Sequence, residues 1–257
     1  MNLSGNTILI TGGSSGIGYE MAKEFLKKSN TVIVTGRNEQ KLQKVKNELK
    51  GVVTILSDVS KPEDVKKLYD QVAKDFPALN VLINNAGIMV TINLQNHQLA
   101  PMDLTNEIDI NVKGTIWMID AFLPLLKKNK NAALVIVSSG LAFVPLAISP
   151  VYCAAKAALH SYSLSLREQL RNTEVKVFEL APPATETELL KNFKDSDMEG
   201  VSLMPVDKMV GVFLDGFAND KFEICPGQSS QLKFMSRFFP RFILKQLSKP
   251  VAAMHAN

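Results

Sequence analysis

The sequence is poor in whatever would mark a secreted, membrane-spanning or metal-built protein. It has only two cysteines in 257 residues, Cys153 and Cys225, too few for a disulfide framework and at a spacing that suits no zinc site. No apolar run approaches the roughly 18 residues of a membrane span; the longest, 132–137, has six. The N-terminus has neither the basic stretch nor the apolar core of a secretory signal, and a reduced, cytoplasmic protein is expected. The three histidines, His97, His160 and His255, are scattered and match no ligand spacing. They read as structural or solvated, and no metal is expected. Acids are missing after Glu223. Residues 224–257 hold five Lys/Arg and no Asp or Glu, which leaves the rest of the chain at −1, with 24 cations against 25 anions. A nucleic-acid binder would be basic over a whole domain, so no such partner is expected. What is present is ordinary: 46% hydrophobic and 21% charged residues exclude a disordered chain. The length suits one domain with a full core.

Short β-branched runs alternate with longer amphipathic stretches. Residues 7–11, 31–35, 52–56, 81–84, 133–138 and 175–181 read as strands, with a short seventh at 222–225. They are almost continuously apolar, as parallel strands covered on both faces must be. Helices are expected over 16–28, over 62–75 with Ser60 as N-cap and Pro62 in the first turn, over 104–128, over 150–171, and from Pro205 to about Asn219. This alternation predicts a single-domain, doubly wound α/β sheet with right-handed crossovers over residues 1–230, followed by a basic tail over 231–257.

Thr11-Gly12-Gly13-Ser14-Ser15-Gly16-Ile17-Gly18 joins the first strand to the first helix. Its glycines let the backbone approach a pyrophosphate closely, and the helix N-terminus adds free N–H groups and a positive dipole end. No lysine follows the last glycine, so a nucleoside-triphosphate loop is excluded. A dinucleotide cradle is the reading, against a plain tight turn. At the end of the second strand an NAD site normally has a carboxylate for the ribose 2′-hydroxyl. Here Thr35-Gly36-Arg37 stands instead, with no acid between Thr31 and Asn38. Arg37 offers a planar fork to a 2′-phosphate, against a solvated turn arginine, so NADP(H) is expected over NAD(H).

Tyr152 and Lys156 lie one turn apart at the start of a predicted helix, and Ser139 ends the fifth strand thirteen residues before Tyr152. Ligands of open parallel sheets bind outside the carboxyl ends of the strands, where Ser139 and the glycine turn both lie. Carbonyl reduction needs an acid that protonates a nascent alkoxide at neutral pH. A free phenol, at about 10, is too weak by some three units. A neighbouring ammonium and the cationic oxidised nicotinamide would each favour phenolate, and Ser139 would polarise the substrate oxygen.

These motifs, with Asp58 after the third strand, Asn84-Asn85-Ala86-Gly87 after the fourth and Asn111-Val112-Lys113-Gly114, occur in register. Over residues 4 to about 225 the chain resembles the short-chain dehydrogenase/reductase family. The resemblance implies a Rossmann fold with a seven-stranded parallel sheet, and a tetrad of Asn111, Ser139, Tyr152 and Lys156, with Asn111 helping to hold a water that links Lys156 to solvent. It implies cofactor contacts from Gly12, Ser14, Ser15, Gly16, Ile17, Gly18 and Arg37, and from Asp58 and Val59 at the adenine. Asn85, Ala86 and Gly87 would approach the ribose, and Pro182, Thr185 and Thr187 the nicotinamide end, with Tyr152 and Lys156. A homodimer or homotetramer through the helices at 104–128 and 150–171 is implied as well.

Where the family has Pro-Gly after the sixth strand, this chain has Pro182-Pro183, a stiffer loop with one N–H fewer. The run Glu179-Leu180-Ala181-Pro182-Pro183 resembles the DltE-like oxidoreductase branch. Cys153 reads as a small buried filler. Residues 188–204 lack periodicity and read as a lid. In the tail, Lys233, Arg237, Arg241, Lys245 and Lys249 recur every fourth residue among phenylalanines, with Pro240 dividing the helix. The tail packs its aromatic side on the body or a partner subunit, or it docks on an anionic membrane. The leading function is NADP(H)-dependent interconversion of a carbonyl and an alcohol on a small molecule. A dinucleotide-sensing regulator without catalysis and a membrane-associated scaffold are the competing classes.

Overall fold

The computed structural model describes residues 1–191, 193–194, 197–198 and 200–252. His255 and four positions of the expected lid (192, 195, 196 and 199) lie outside the described residues.

Seven strands form one parallel sheet: β1 (Thr7–Thr11), β2 (Thr31–Gly36), β3 (Val53–Leu56), β4 (Leu79–Asn84), β5 (Ala132–Val137), β6 (Val175–Leu180) and β7 (Glu223–Ile224), in the order β3-β2-β1-β4-β5-β6-β7. This is the expected doubly wound Rossmann-like α/β sheet. Its near-continuous apolar strands follow from cover on both faces. In β1, Ile8 and Ile10 point to one core while Leu9 points to the other, the period-two alternation of a strand. The first core is closed by α1 (Gly16–Leu26), α2 (Glu39–Glu48) and α7 (Val206–Ala218), through side chains such as Phe25, Leu42 and Phe213. The second is closed by α3 (Pro62–Asp75), α5 (Gly114–Leu126) and α6 (Pro150–Leu170), through Leu68, Phe122 and Leu159. The strand order reverses between β1 and β4, which opens a crevice at their carboxyl ends.

Two local expectations are corrected, and one helix had no expectation behind it. Helix α3 begins at Pro62 as expected, but its N-cap is Lys61, and the Ser60 hydroxyl donates to Asp58 Oδ1 at 2.7 Å instead. Proline at the first helical position moves the cap one residue along. The helix expected over 104–128 begins earlier, as α4 (Pro101–Glu107), and passes through a π-helical turn, Ile108–Lys113, before α5. That wider turn swings Asn111 inward, as π-bulges at functional sites often do. Helix α2 had no apolar period to announce it, because only Leu42 and Val45 are buried; Asn38 caps it by accepting the Lys41 N–H at 2.9 Å.

After β7 the chain turns at Gly227 (φ 51°) into α8 (Gln228–Phe238) and α9 (Pro240–Leu247), divided at Phe239 and Pro240 as expected. Helix α8 lies on the short 3₁₀ turn Gly140–Ala142 that follows β5, where Ser229 is fully buried against Gly140. No helix among the described residues is long and apolar enough to cross a membrane.

Candidate active site

A single cleft of about 1410 Å³ runs along the carboxyl ends of the strands, from Arg37 at one end to Tyr152 at the other. Its floor is the turn after β1. Gly12 has φ 65°, and a Cβ there would stand 2.8 Å from the Ala86 Cα, so only glycine lets this turn close against the end of β4. The two turns are stitched together. The Asn85 and Ala86 N–H groups both donate to Thr11 Oγ1 at 3.0 Å, and the Asn85 amide donates to the Thr11 and Gly12 carbonyls at 3.0 and 3.1 Å. Gly12, Ser14, Ser15, Gly16, Ile17, Ala86 and Gly87 line the cleft; Gly18 stands behind it, where a Cβ would meet the Gly12 carbonyl at 2.6 Å.

At the far end, Arg37 lines the cleft beside Thr35, Ser57, Asp58 and Val59. The Thr35 and Ser57 hydroxyl oxygens are buried there without a partner among the described residues. Lys41, which sequence reasoning missed, joins Arg37 on the first turn of α2 and bridges to Glu188 Oε2 at 2.5 Å. It belongs to a helix with no apolar period, so no signal singled it out. The glycine floor, the unpartnered hydroxyls and two cations at one end fit a phosphate-bearing dinucleotide.

Ser139, Tyr152 and Lys156 meet at the other end of the same cleft. Ser139 Oγ accepts the Leu141 N–H at 3.1 Å, and its hydroxyl lies near enough to the Tyr152 phenol to favour the phenolate. Lys156 donates to the Val137 carbonyl at 2.9 Å and stands 5.6 Å from the centre of the Tyr152 ring. Burial pushes the phenol well above its ordinary value, against the opposing influence of Ser139, and pushes the Lys156 amine down to about 8. The sequence-based expectation had the amine acidifying the phenol. In the protein without its dinucleotide, burial is the largest influence on both groups, and it disfavours both charged forms.

Asn111 is wholly buried behind the cleft, and both ends of its amide are engaged by Ile88, accepting from the N–H and donating to the carbonyl at 2.9 Å each. The clamp holds the turn after β4: a Cβ on Gly87 would lie 3.2 Å from Asn111 Oδ1 and 3.5 Å from Lys156 Nζ. On the opposite wall Pro182 O accepts the Gly140 N–H at 2.8 Å, Thr185 donates to Pro183 O at 2.9 Å, and Thr187 faces Gly16. The second proline thus stiffens a segment that is also tied to β5. Of the expected lid, Glu188–Leu190 forms a 3₁₀ turn over the cleft, and Thr185 bridges to Met204.

Two acids, Glu179 and Glu107, are buried, which sequence reasoning did not foresee. Glu179 on β6 accepts from the Ser138 and Ser163 hydroxyls and pairs with His160 Nδ1 at 2.8 Å. Burial alone would raise this carboxyl, but His160 and the two serines hold it below its ordinary value. His160 is therefore structural, as expected. Glu107 is 2% exposed; Oε1 accepts the Val90 N–H at 2.9 Å, and Oε2 has no partner among the described residues. Burial pushes its carboxyl from 4.5 up to about 7. A carboxyl raised in the folded state contributes stability that is present below its unfolded value and lost as pH rises through the folded one. Wild type is expected to lose about 2 kcal/mol between about pH 5 and pH 8 from this group, and Glu107→Gln to lack that loss. Urea midpoints at the two pH values check it.

Beyond Tyr152 the cleft turns apolar, lined by Leu141, Leu146, Leu189 and Phe193 and, from the tail, by Leu232, Met235, Ile243 and Leu247. Cys153 is the buried filler expected: its sulfur accepts the Leu146 N–H at 3.2 Å and burial pushes the thiol up to about 11.

The family model for short chain dehydrogenases matches residues 6–197. An uncharacterized oxidoreductase of Bacillus subtilis, DltE, is 44% identical over 226 residues, covering 87% of this chain and 89% of that protein. A short chain dehydrogenase from Burkholderia cenocepacia, solved with NADP, superposes with TM-score 0.83 at 24% identity over 96% of this chain and 99% of its own. A short chain dehydrogenase/reductase from Burkholderia phymatum, solved with NAD, superposes with TM-score 0.80 at 22% identity over 91% and 93%. With the sheet order, the glycine turn and the order of its motifs, the chain belongs to the short-chain dehydrogenase/reductase family of oxidoreductases, in the DltE branch.

Proposed function

We propose that the protein transfers a hydride between NADP(H) and a carbonyl or alcohol on a small molecule. The observation that carries this reading is that Ser139, Tyr152 and Lys156 share one cleft with the glycine turn and Arg37. The backbone N–H groups of residues 12–18 bind the pyrophosphate at the start of α1. Asp58 and Val59 receive the adenine, Asn85 and Ala86 the ribose side, and Pro182, Thr185 and Thr187 the nicotinamide end. The bound dinucleotide supplies or accepts the hydride. Ser139 donates a hydrogen bond to the substrate oxygen, and Tyr152 hands its phenolic proton to that oxygen as negative charge develops. Lys156 supports the resulting phenolate, and Asn111 keeps the turn after β4 in place beside it and helps hold a water between Lys156 and solvent.

Arg37 and Lys41 hold the 2′-phosphate. The solved neighbours carry NADP in one case and NAD in another, so the preference rests on these two cations. Arg37→Leu is expected to lower kcat/KM for NADPH by roughly 10- to 100-fold, the worth of a charge-assisted hydrogen bond, while leaving that for NADH within about twofold. Initial rates with both dinucleotides decide it; a higher kcat/KM for NADH in the wild type would overturn the preference. Two free cysteines, one of them buried, support a reducing cytoplasmic setting. Association of two or four copies through α5 and α6 belongs to the same proposal, with Leu164 of α6, 41% exposed, as an apolar side chain such contact would cover.

A further inference from the structure

Helices α8 and α9 sort their apolar side chains into two sets. Leu232, Met235, Ile243 and Leu247 turn inward and wall the apolar end of the cleft. Phe234, Phe238, Phe239 and Phe242 turn outward and are 56%, 60%, 53% and 57% exposed, with Leu244 at 42%. The aromatic side of the tail is therefore not packed on the body. Four rings more than half exposed within one short stretch form an apolar patch of the kind that marks an interaction surface. The cations lie in the same stretch. Lys233 pairs with Glu223, but Arg237, Arg241, Lys245 and Lys249 are exposed and have no acidic partner among the described residues.

We propose that this face docks the enzyme on an anionic lipid surface, and that the inner face of the same helices opens the cleft to an apolar carbonyl or alcohol carried in that lipid. The second half rests on the oxidoreductase reading; the first does not. Charge selects the occupant. A second copy laid on this face in a two-fold dimer would set unpaired cations against the same cations, a costly arrangement. Stacking with single-stranded nucleic acid needs a free slot beside each ring, yet Phe234 and Phe238 already pack on each other, with ring centroids 4.7 Å apart. An anionic membrane satisfies both components. Phenylalanine and leucine enter the boundary between headgroups and chains, and the long cationic side chains reach back to the headgroups. With the remainder of the chain at −1, the field also orients the molecule tail-first.

The test is co-sedimentation of the full chain with vesicles of equimolar phosphatidylglycerol and phosphatidylcholine, against vesicles of phosphatidylcholine alone. Binding to the anionic vesicles is expected, and its loss at about 1 M salt, where charges are screened within about 3 Å. Arg237→Gln with Arg241→Gln should weaken binding roughly 30-fold, from the typical worth of a cation near a lipid surface. Phe238→Ser with Phe242→Ser should abolish pelleting. None of the four side chains lines the cleft, so turnover of a small water-soluble aldehyde stays unchanged and reports an intact fold. Turnover of a long-chain aliphatic aldehyde embedded in the anionic vesicles should fall with both double variants. Docking is overturned by failure to pellet at low salt, by equal binding to both vesicles, by a dimer that the phenylalanine variant dissociates without any vesicle binding, or by retention of a single-stranded oligonucleotide in place of lipid. Embedded-aldehyde turnover indifferent to the tail would overturn the substrate half alone. Absence of turnover on every aldehyde would count against the oxidoreductase reading while leaving pelleting as an independent result.

Discussion

Tyr152→Phe is expected to lower kcat by about 10³-fold while leaving NADPH affinity within about twofold, the signature of losing a general acid rather than a binding contact. The substitution deletes one oxygen from a buried ring. It creates no cavity of consequence, and it removes a hydroxyl whose neighbour is Ser139. The fold should persist with a small drop in Tm. The protein by itself holds the phenol above its ordinary value, so proton transfer near neutral pH draws on positive charge nearby. Protonated Lys156 is one source, and the oxidised nicotinamide is the other. Fluorescence titration with NADPH beside steady-state rates separates binding from chemistry. Near-wild-type kcat in the variant would falsify the assignment.

Lys156→Met should separate activity from stability. The amine is buried and held down to about 8, so keeping it protonated at neutral pH costs the folded state about 3 kcal/mol. Methionine removes that cost but leaves the Val137 carbonyl, now accepting at 2.9 Å, without its donor, a loss of about 1–3 kcal/mol. Stability at pH 7 should stay within about 1–2 kcal/mol of wild type, while kcat falls roughly 100-fold as support for the phenolate goes. The pH dependence gives the sharper signature. Between about 8 and 10.5 the unfolded chain binds more protons at this amine than the folded one, so wild-type stability gains with rising pH. The variant should lack that gain, as urea midpoints across this range would reveal. A flat difference between the two proteins would mean that the amine is not held down.

Much of the fold was legible because the sheet is covered on both faces. Strands such as Ala132–Val137 must be apolar at every position, and such runs stand out in a sequence. Helices with a clear apolar face, such as Pro62–Asp75, were equally plain. Glu39–Glu48 was not, because two buried residues make no period. The π-turn at Ile108–Lys113 escaped for another reason: it is held by an amide clamp to Ile88, 23 residues away, and no local propensity encodes that.

The same division runs through the site. Residue order alone determined the glycine turn, the missing acid before Arg37 and the one-turn spacing of Tyr152 and Lys156, since each is a property of a few neighbouring residues. The tertiary structure decided the rest. It placed Lys41 beside Arg37, left Glu107 with an unpartnered oxygen, gave Glu179 its three partners, and divided the tail's apolar side chains between the cleft and open solvent. These depend on burial and on distances between segments remote in the chain, and the free energy of a charge or a ring follows from what surrounds it in space.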